Sequence, residues 1–373
     1  MTASLWQDAS GPRWAPLAAD ARADVCIVGA GIAGLSLALA LARDGARVIV
    51  VESRRLGAGA SGRNAGFVLA GVAESYVAAR RRYGAERAAR LWRFTVTNRA
   101  ILRAMIERHG IECEAQWNGS LQIAESGEEW EEIRESVRLL APEGVRGELL
   151  EAERTALFPD DGELHPVRLL HGIARAAAGH GAAIHEDTRA TAVTAGRVVT
   201  ATGTVRADTV VVCAGAWTEG IVASSRVVPI RGQMLATAPL GRRVFERPAY
   251  ADRGYRYWRQ TPDGRVVVGG WRFLAFDEEV GDADETTAII QGALEAFLRE
   301  RGVDAPVTHR WAGTMEFSHD GLPYLGRRAD GVWVCGGFTG HGNGFAYAAA
   351  DLVASLVRSG RHPDADLFDP ERH

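Results

Sequence analysis

The chain has 373 residues, a formal net charge of −4, four cysteines, and 43 basic residues other than histidine, every one an arginine. The mild negative balance gives no broad attraction to nucleic acid or to an anionic membrane surface. The missing lysine excludes a lysine Schiff base, ordinary pyridoxal phosphate chemistry and a Walker-type phosphate loop. Cysteines without CxxC spacing indicate neither a zinc site nor a disulfide framework.

Residues 1–22 read as a Pro/Trp-containing leader without strong periodicity. The first stretch, MTASLWQDASGPRW, lacks a basic-then-apolar signal pattern, so a cytoplasmic location is expected. From Asp24 to Glu52 the sequence predicts a strand (25–28), a glycine turn, an apolar helix (about 32–43) and a second strand (47–51). The turn, Gly29-Ala30-Gly31-Ile32-Ala33-Gly34, fits G-x-G-x-x-G in the context that gives the pattern meaning. Gly29 makes the tight turn, Gly31 admits a pyrophosphate to the backbone, and Gly34 lets helix and strand pack closely. The helix N-terminus then faces the diphosphate with free N–H groups and a positive dipole end. Glu52 closes the second strand, where a carboxylate can hold both hydroxyls of an adenosine ribose. Val25 to Ala42 carries no charge and is long enough to span a bilayer. Its three early glycines and the strand that follows at once argue instead for strand and helix, and no transmembrane segment is expected.

Arg54 to Gly66 is a small-residue loop that can run close along an extended cofactor, with Arg63 and Asn64 as donors. Arg80-Arg81-Arg82 reads as a solvated helix face. Helices are predicted over 85–109 and 128–140, the second with Trp130, Ile133, Val137 and Leu140 as its core stripe. A short strand pair is expected over 116–124, a helix from His165-Pro166 to about 179, a strand at 182–185 and a hairpin over 190–205. Asp208 opens a buried strand running into Ala214, Gly215 and Trp217, so the nucleotide-binding pattern resumes there. Antiparallel structure follows at 227–237 and 250–271, with a turn at Thr261-Pro262-Asp263-Gly264, then a helix over 284–301. The C-terminal block holds a strand (332–335), the loop Gly336 to Gly344 and a small-residue helix to 358. A second glycine loop opening a helix suits a flavin, whose pyrimidine edge gains negative charge on reduction and is stabilised by a helix N-terminus.

The Gly29 fingerprint, GASGRNAG (59–66), CAGAW (213–217), PIRGQ (229–233), WAGTMEFSHDGLPYLG (311–326) and GGFTGHG (336–342) occur in this order. Together they resemble the D-amino-acid oxidase superfamily of FAD-dependent amine and amino-acid oxidoreductases over nearly the whole chain. GASGRNAG, the His165-Pro166 helix start and YWRQTPDGRVVVGG most resemble its gamma-glutamylputrescine oxidoreductase branch, with the sarcosine and glycine oxidases as near neighbours.

The resemblance implies an α/β protein. Its discontinuous Rossmann-like FAD-binding domain would span 20–84, 148–226 and 310–360, with a substrate domain of mixed or antiparallel sheet plus helices over 85–147 and 227–309. It implies that Gly29, Gly31, Gly34 and Glu52 bind the ADP half and that Ser61, Arg63 and Asn64 lie near the pyrophosphate or ring. Val193 would touch the adenine, Ala214, Gly215 and Trp217 would flank the cofactor, and Gly340, His341, Gly342 and Asn343 would face the flavin. The implied reaction is hydride transfer from a carbon bearing an amine to flavin N5, giving an imine. The expected substrate is a secondary amine or N-alkyl amino acid, with O2 as acceptor and H2O2 as product. A dehydrogenase of the same fold serving a carrier or quinone, and a non-catalytic flavin-binding module, are the alternatives.

The chain also departs from its relatives' patterns. Met315 stands where glycine oxidase-like enzymes place a carboxylate-binding arginine, and Gly344 where sarcosine oxidase-like enzymes place a lysine at or nearby. Gly313 lies near the position of a flavin-linking cysteine, and Val267 near that of a lysine thought to help oxygen react. FAD is therefore expected to be non-covalent. In GYRYWRQ, Tyr255, Tyr257 and Arg259 share one face and Arg256 and Trp258 the other. Tyr257, Trp258, Arg259, Met315 and His341 are the candidate catalytic or substrate-contacting residues, with aromatic walls for the amine and an arginine for any carboxylate.

Overall fold

The structure, a computed structural model, describes residues 2–222 and 226–372. Its strands are β1 Ala21–Val28, β2 Val48–Val51, β3 Phe67–Val68, β4 Ser120–Ile123, β5 Glu148–Leu150, β6 Thr155–Phe158, β7 Gly162–Glu163, β8 Ala183–His185 and β9 Ala190–Thr194. They continue with β10 Arg197–Thr200, β11 Thr204–Val212, β12 Val227–Thr237, β13 Ala249–Ala251, β14 Arg256–Gln260, β15 Val266–Gly270, β16 Val307–Ser318, β17 Tyr324–Arg327 and β18 Trp333–Gly336. The helices are α1 Ile32–Arg43, α2 Tyr76–Tyr83, α3 Ala85–His109, α4 Gly127–Leu140, α5 Pro166–Gly179, α6 Ala288–Glu300 and α7 Gly342–Ser359.

The first sheet runs β17-β18-β11-β1-β2-β8, parallel except for β17, with the β9–β10 hairpin attached to β11. Strands covered on both faces are near-continuous apolar runs, as in the buried half of β1, Val25–Val28. In β1, Val25 and Ile27 pack among α1, α5 and α7, while Cys26 and Val28 turn to Leu17, Ile49 and the hairpin on the other side. The uncharged run that could have suggested a membrane span is thus a strand, a turn and a twelve-residue helix. Among the described residues no helix is long and apolar enough to cross a membrane.

The second sheet runs β16-β12-β15-β14-β13-β4-β6-β5, antiparallel except where β13 pairs β4. One face is covered by α6, through Leu235, Trp258, Val266, Val268, Ile290, Leu294 and Phe297. The other faces the loop at 63–66 and the start of α7. β5, β6 and β16 pair in this second sheet, although the segments 148–226 and 310–360 are expected from sequence to go with the nucleotide sheet. The segment expected as a strand pair over 116–124 forms one strand and a single bridge from Gln116 to Glu163. Helix α6 starts four residues later than its sequence predicts, because Asp284 is held outside it by Arg63 and Thr2.

The leader is not loose. Trp6 is buried and donates its indole N–H to the Asn64 carbonyl (2.7 Å), Ser4 Oγ donates to Gly62 O (2.6 Å), and Gln7 Nε2 donates to Gly57 O (2.8 Å). These bonds pin the small-residue loop from its outer side.

Candidate active site

The glycine turn after β1 is dictated by contact. Gly29 has φ +108°, and a Cβ on it would lie 2.4 Å from Cys213 O. A Cβ on Gly34 would lie 2.0 Å from Gly29 O, so no side chain is tolerated where α1 meets the turn. Gly31 caps α1 without a side-chain acceptor of its own; Ser61 Oγ takes the Ile32 N–H instead (3.1 Å). Glu52 Oε2 accepts from Ala30 N (2.9 Å) and Oε1 from Arg54 N (2.9 Å), which fixes the carboxylate beside the turn.

The second glycine loop opens α7 beside α1. A Cβ on Gly342 would come within 3.3 Å of Ile32 Cδ1, so two helix N-termini converge at one place. Thr339 holds φ +49°, a costly conformation for a β-branched residue. It is kept there by its N–H to Glu316 O (2.8 Å) and by its hydroxyl, which pairs with Ser318 Oγ (3.2 Å) and accepts from Ser318 N (3.3 Å). Buried Asn98 on α3 supports the same helix start: its amide donates to Asn343 O (2.8 Å) and its Oδ1 accepts from Tyr347 N and Ala348 N. Sequence reasoning missed Asn98, whose only signal is a polar residue within a helix's buried stripe.

Arg63 and Asn64 take roles other than free donors. Arg63 is 6% exposed, and its guanidinium donates to Ala58 O (2.9 Å), Asp284 (2.9 Å), Ala312 O (2.8 Å) and Thr2 O (2.7 Å). Asn64 donates to Ala60 O and Ser61 O, and its Oδ1 accepts from Gly66 N (2.8 Å) and Asn343 Nδ2 (3.3 Å). Both side chains therefore hold the loop in shape and keep Ser61 at the start of α1.

Ala214 and Gly215 follow β11 in the same cleft. Trp217 spans from Gly59 to the segment before α6, with the Arg54 guanidinium 4.8 Å from its ring and its indole N–H on Asp282 (3.1 Å). Val193 lies in the β9–β10 hairpin, paired with Val198. The segment alongside Glu52 is 185–188, where Thr188 N donates to Glu52 O (2.7 Å) and Glu52 N to His185 O (2.8 Å).

Glu316 was not foreseen. Its Oε2 lies 3.0 Å from where a Cβ on Gly336 would stand and 3.9 Å from that of Gly215. The residue is partly exposed as a whole, yet Oε2 itself is shielded from solvent and has no hydrogen-bond partner. Burial pushes the carboxyl up to about 7, against the pull of the Gly337 and Phe338 N–H groups.

The opposing wall comes from the second sheet. Tyr257, Met315 and Phe317 share the face toward α7: Met315 Sδ lies 3.2 Å and Phe317 Cζ 4.0 Å from a Cβ placed on Gly340. The same construction on Gly232 meets Met315 Cε at 3.0 Å and Tyr257 Oη at 3.9 Å. Phe67 meets the Tyr257 ring edge-on at 6.3 Å, and burial raises the Tyr257 hydroxyl to about 12, so it stays protonated. Trp258 points the other way, into the core under α6, 4.6 Å from the Phe297 ring. Arg259 is 1% exposed, with Nε 2.9 Å from Glu163 and Nη1 donating to Leu164 O (2.9 Å) and Ala65 O (3.1 Å). It braces the loop from below. His341 Nδ1 is 3.1 Å from Thr339 O; a carbonyl only accepts, so Nδ1 carries the proton and Nε2 is the free acceptor. Burial lowers its pKa and keeps the ring neutral.

The geometry fits FAD. Two helix starts, a clamped carboxylate and turns closed to any Cβ suit a nucleotide diphosphate, and a third glycine-lined strand end adjoins an aromatic wall. This combination defines a dinucleotide-binding α/β oxidoreductase architecture with an antiparallel sheet set across its cofactor cleft.

Residues 24–356 match the family model for FAD dependent oxidoreductases, and the chain belongs to that family. The gamma-glutamylputrescine oxidoreductase of Escherichia coli strain K12 is 29% identical over 394 residues, covering 98% of this chain and 90% of its own. The glycine oxidase of Geobacillus kaustophilus is 28% identical over 371 residues, covering 90% and 93%. The crystal structure of glycine oxidase from Geobacillus kaustophilus has a TM-score of 0.81 at 24% identity, over 95% of this chain and 99% of that one. The protein is thus an enzyme of the FAD-dependent oxidoreductase family.

Proposed function

We propose that this enzyme is an amine or amino-acid oxidase that converts the C–N bond of a secondary amine or N-alkyl amino acid to an imine. When bound, FAD supplies a two-electron acceptor for the substrate hydride, re-oxidised by O2 to give H2O2. The observation that carries the reading is the aromatic face of Tyr257, Phe67 and Phe317 set directly across from the α7 start, which holds an amine by cation–π contact and excludes water. The names of the relatives, two oxidoreductases of amino compounds, point the same way.

Gly29, Gly31, Gly34 and Glu52 hold the ADP half, with Ser61 at the diphosphate. Gly340, Gly342 and Asn343 would present backbone N–H groups to the flavin's pyrimidine edge, while the His341 N–H closes the loop on Phe338 O (2.9 Å). Tyr257 and Met315 shape the substrate side, and neutral His341 offers Nε2 as the acceptor of the proton that the bound ammonium gives up before oxidation. FAD is held without a covalent link, since position 313 is glycine and all four cysteines are buried.

A dehydrogenase reading rests on one observation: the chain has no lysine, and Val267 is buried in the sheet. Oxygen uptake with a panel of secondary amines and N-alkyl amino acids separates the two. Peroxide formed in step with amine consumed supports the oxidase. Turnover with a dye acceptor but not with O2 establishes the dehydrogenase.

A further inference from the structure

Trp271 sits at φ +59°, a conformation that bulky side chains avoid, with its indole buried against Phe297 under α6. The Trp271 backbone N–H donates to Tyr255 O (2.7 Å), which locks the turn at the end of β15. The next residue, Arg272, is thereby thrown across to the opposite face of the sheet. Its guanidinium carbon lies 4.9 Å from the centre of the Tyr255 ring, 5.0 Å from Phe317 and 5.4 Å from Phe276. Phe317 is the ring that reaches Gly340, so Arg272 stands one aromatic ring away from the α7 start.

Among the described residues, Arg272 has no hydrogen-bond acceptor and no carboxylate within ion-pair distance. The buried arginines nearby, Arg231 and Arg259, are each matched by a glutamate, Glu279 and Glu163. A half-buried guanidinium with aromatic surfaces against it and its N–H groups unclaimed is arranged to receive a planar anion from outside. Exposed Leu274 and Phe276 form an apolar rim beside it, as at the mouth of a binding site.

From this we infer that Arg272 anchors the substrate's carboxylate, and that the substrate is an amine whose carboxylate lies several bonds beyond the oxidised carbon. The inference rests on the amine-oxidising reading above and narrows its substrate class. Met315 fills the space nearest Gly340 with a thioether, which offers nothing to a carboxylate on the oxidised carbon itself. Arg272, behind Phe317, is reached only by a longer acid.

The test uses the FAD-loaded full chain as wild type, R272M and R272K. Three amines are compared by anaerobic loss of the visible flavin band: 4-(methylamino)butanoate, N-methylglycine and N-methylbutylamine, which lacks the carboxylate. The wild type is expected to favour the butanoate over N-methylbutylamine by roughly 30-fold or more, the worth of a charge-assisted bond. R272M loses that preference at unchanged FAD content, R272K keeps part of it, and N-methylbutylamine reacts alike in all three. An undiminished preference in R272M overturns the assignment, as does an equal loss for N-methylglycine. Binding of butanoate, read as a shift of the flavin band, decides Arg272 without turnover: lost in R272M it supports the anchor, and equal in both proteins it overturns it. If no amine bleaches any of the proteins, the amine-oxidising reading itself falls, while the butanoate titration still reports on Arg272.

Discussion

The two sides of the cleft are built from different material. On the nucleotide side, turns at Gly29 and Gly340 and the starts of α1 and α7 present mainly backbone, and side chains such as Ser61, Asn98 and Asn64 serve to hold that backbone still. On the opposing side the backbone is an ordinary antiparallel sheet, and the surface toward the α7 start is made by the side chains Tyr257, Met315 and Phe317, with Arg272 against Phe317. A diphosphate is the same in every family member, so its site can be made of N–H groups and space. A substrate that varies calls for side chains, which can be exchanged without disturbing the fold.

The largest expected effect breaks the backbone side. Gly34→Ala places a methyl 2.0 Å from Gly29 O, with no flexible neighbour to yield. The variant is expected to purify with less than roughly a tenth of the wild-type flavin, since turn and helix start must separate to admit the Cβ. Absorbance of the purified protein measures this directly.

The brace between the two sides comes next. Removing one partner of the buried Arg259–Glu163 pair leaves an uncompensated charge, and Glu163→Gln is expected to cost about 3–5 kcal/mol of stability. Replacing both by apolar residues should recover most of the loss, and denaturant titration of the single and double variants checks both statements.

Glu316 gives a smaller, pH-dependent effect. Its carboxyl rises from the usual 4.5 to about 7 in the folded protein, so the native state binds this proton more tightly than the unfolded chain. The resulting stability is complete below pH 4.5 and is lost as pH rises through about 7. Glu316→Gln should flatten that dependence and gain on the order of 2 kcal/mol at pH 8 relative to wild type. Melting temperatures across pH 4–9, taken at constant salt, follow the difference.

The smallest effect separates the two faces of β14. Trp258→Phe trims the core under α6, costing about 1–2 kcal/mol of stability while leaving substrate preference unchanged. Tyr257→Phe should do the reverse, altering KM with little change in melting temperature.

These faces also mark where sequence reasoning stops. Alternation in GYRYWRQ separates Tyr257 from Trp258, yet which side meets the cleft depends on α6, thirty residues further on, covering Trp258. The fold of the nucleotide half was legible because glycine spacing, a strand on either side and an acid at the end are local signals. Arg63 was not legible in the same way: its acceptors on Thr2, Ala312 and Asp284 lie 61, 249 and 221 residues away, and no local pattern reveals that its donors are taken. Glu316, although inside the stretch 311–326, has no local signal that gives away its surroundings, and Arg272 lies in no motif. One is notable for a buried oxygen without a partner, the other for a guanidinium without a carboxylate, and both are properties of packing alone.

The central claim is that the cleft holds FAD against a wall made for amines. It is tested most directly by the visible spectrum of the purified enzyme, recorded without oxygen before and after a secondary amine bearing a distant carboxylate is added. The account predicts a flavin band that the amine bleaches and air restores, with FAD released intact on denaturation. A protein that takes up no FAD, or whose flavin no amine reduces, would contradict it.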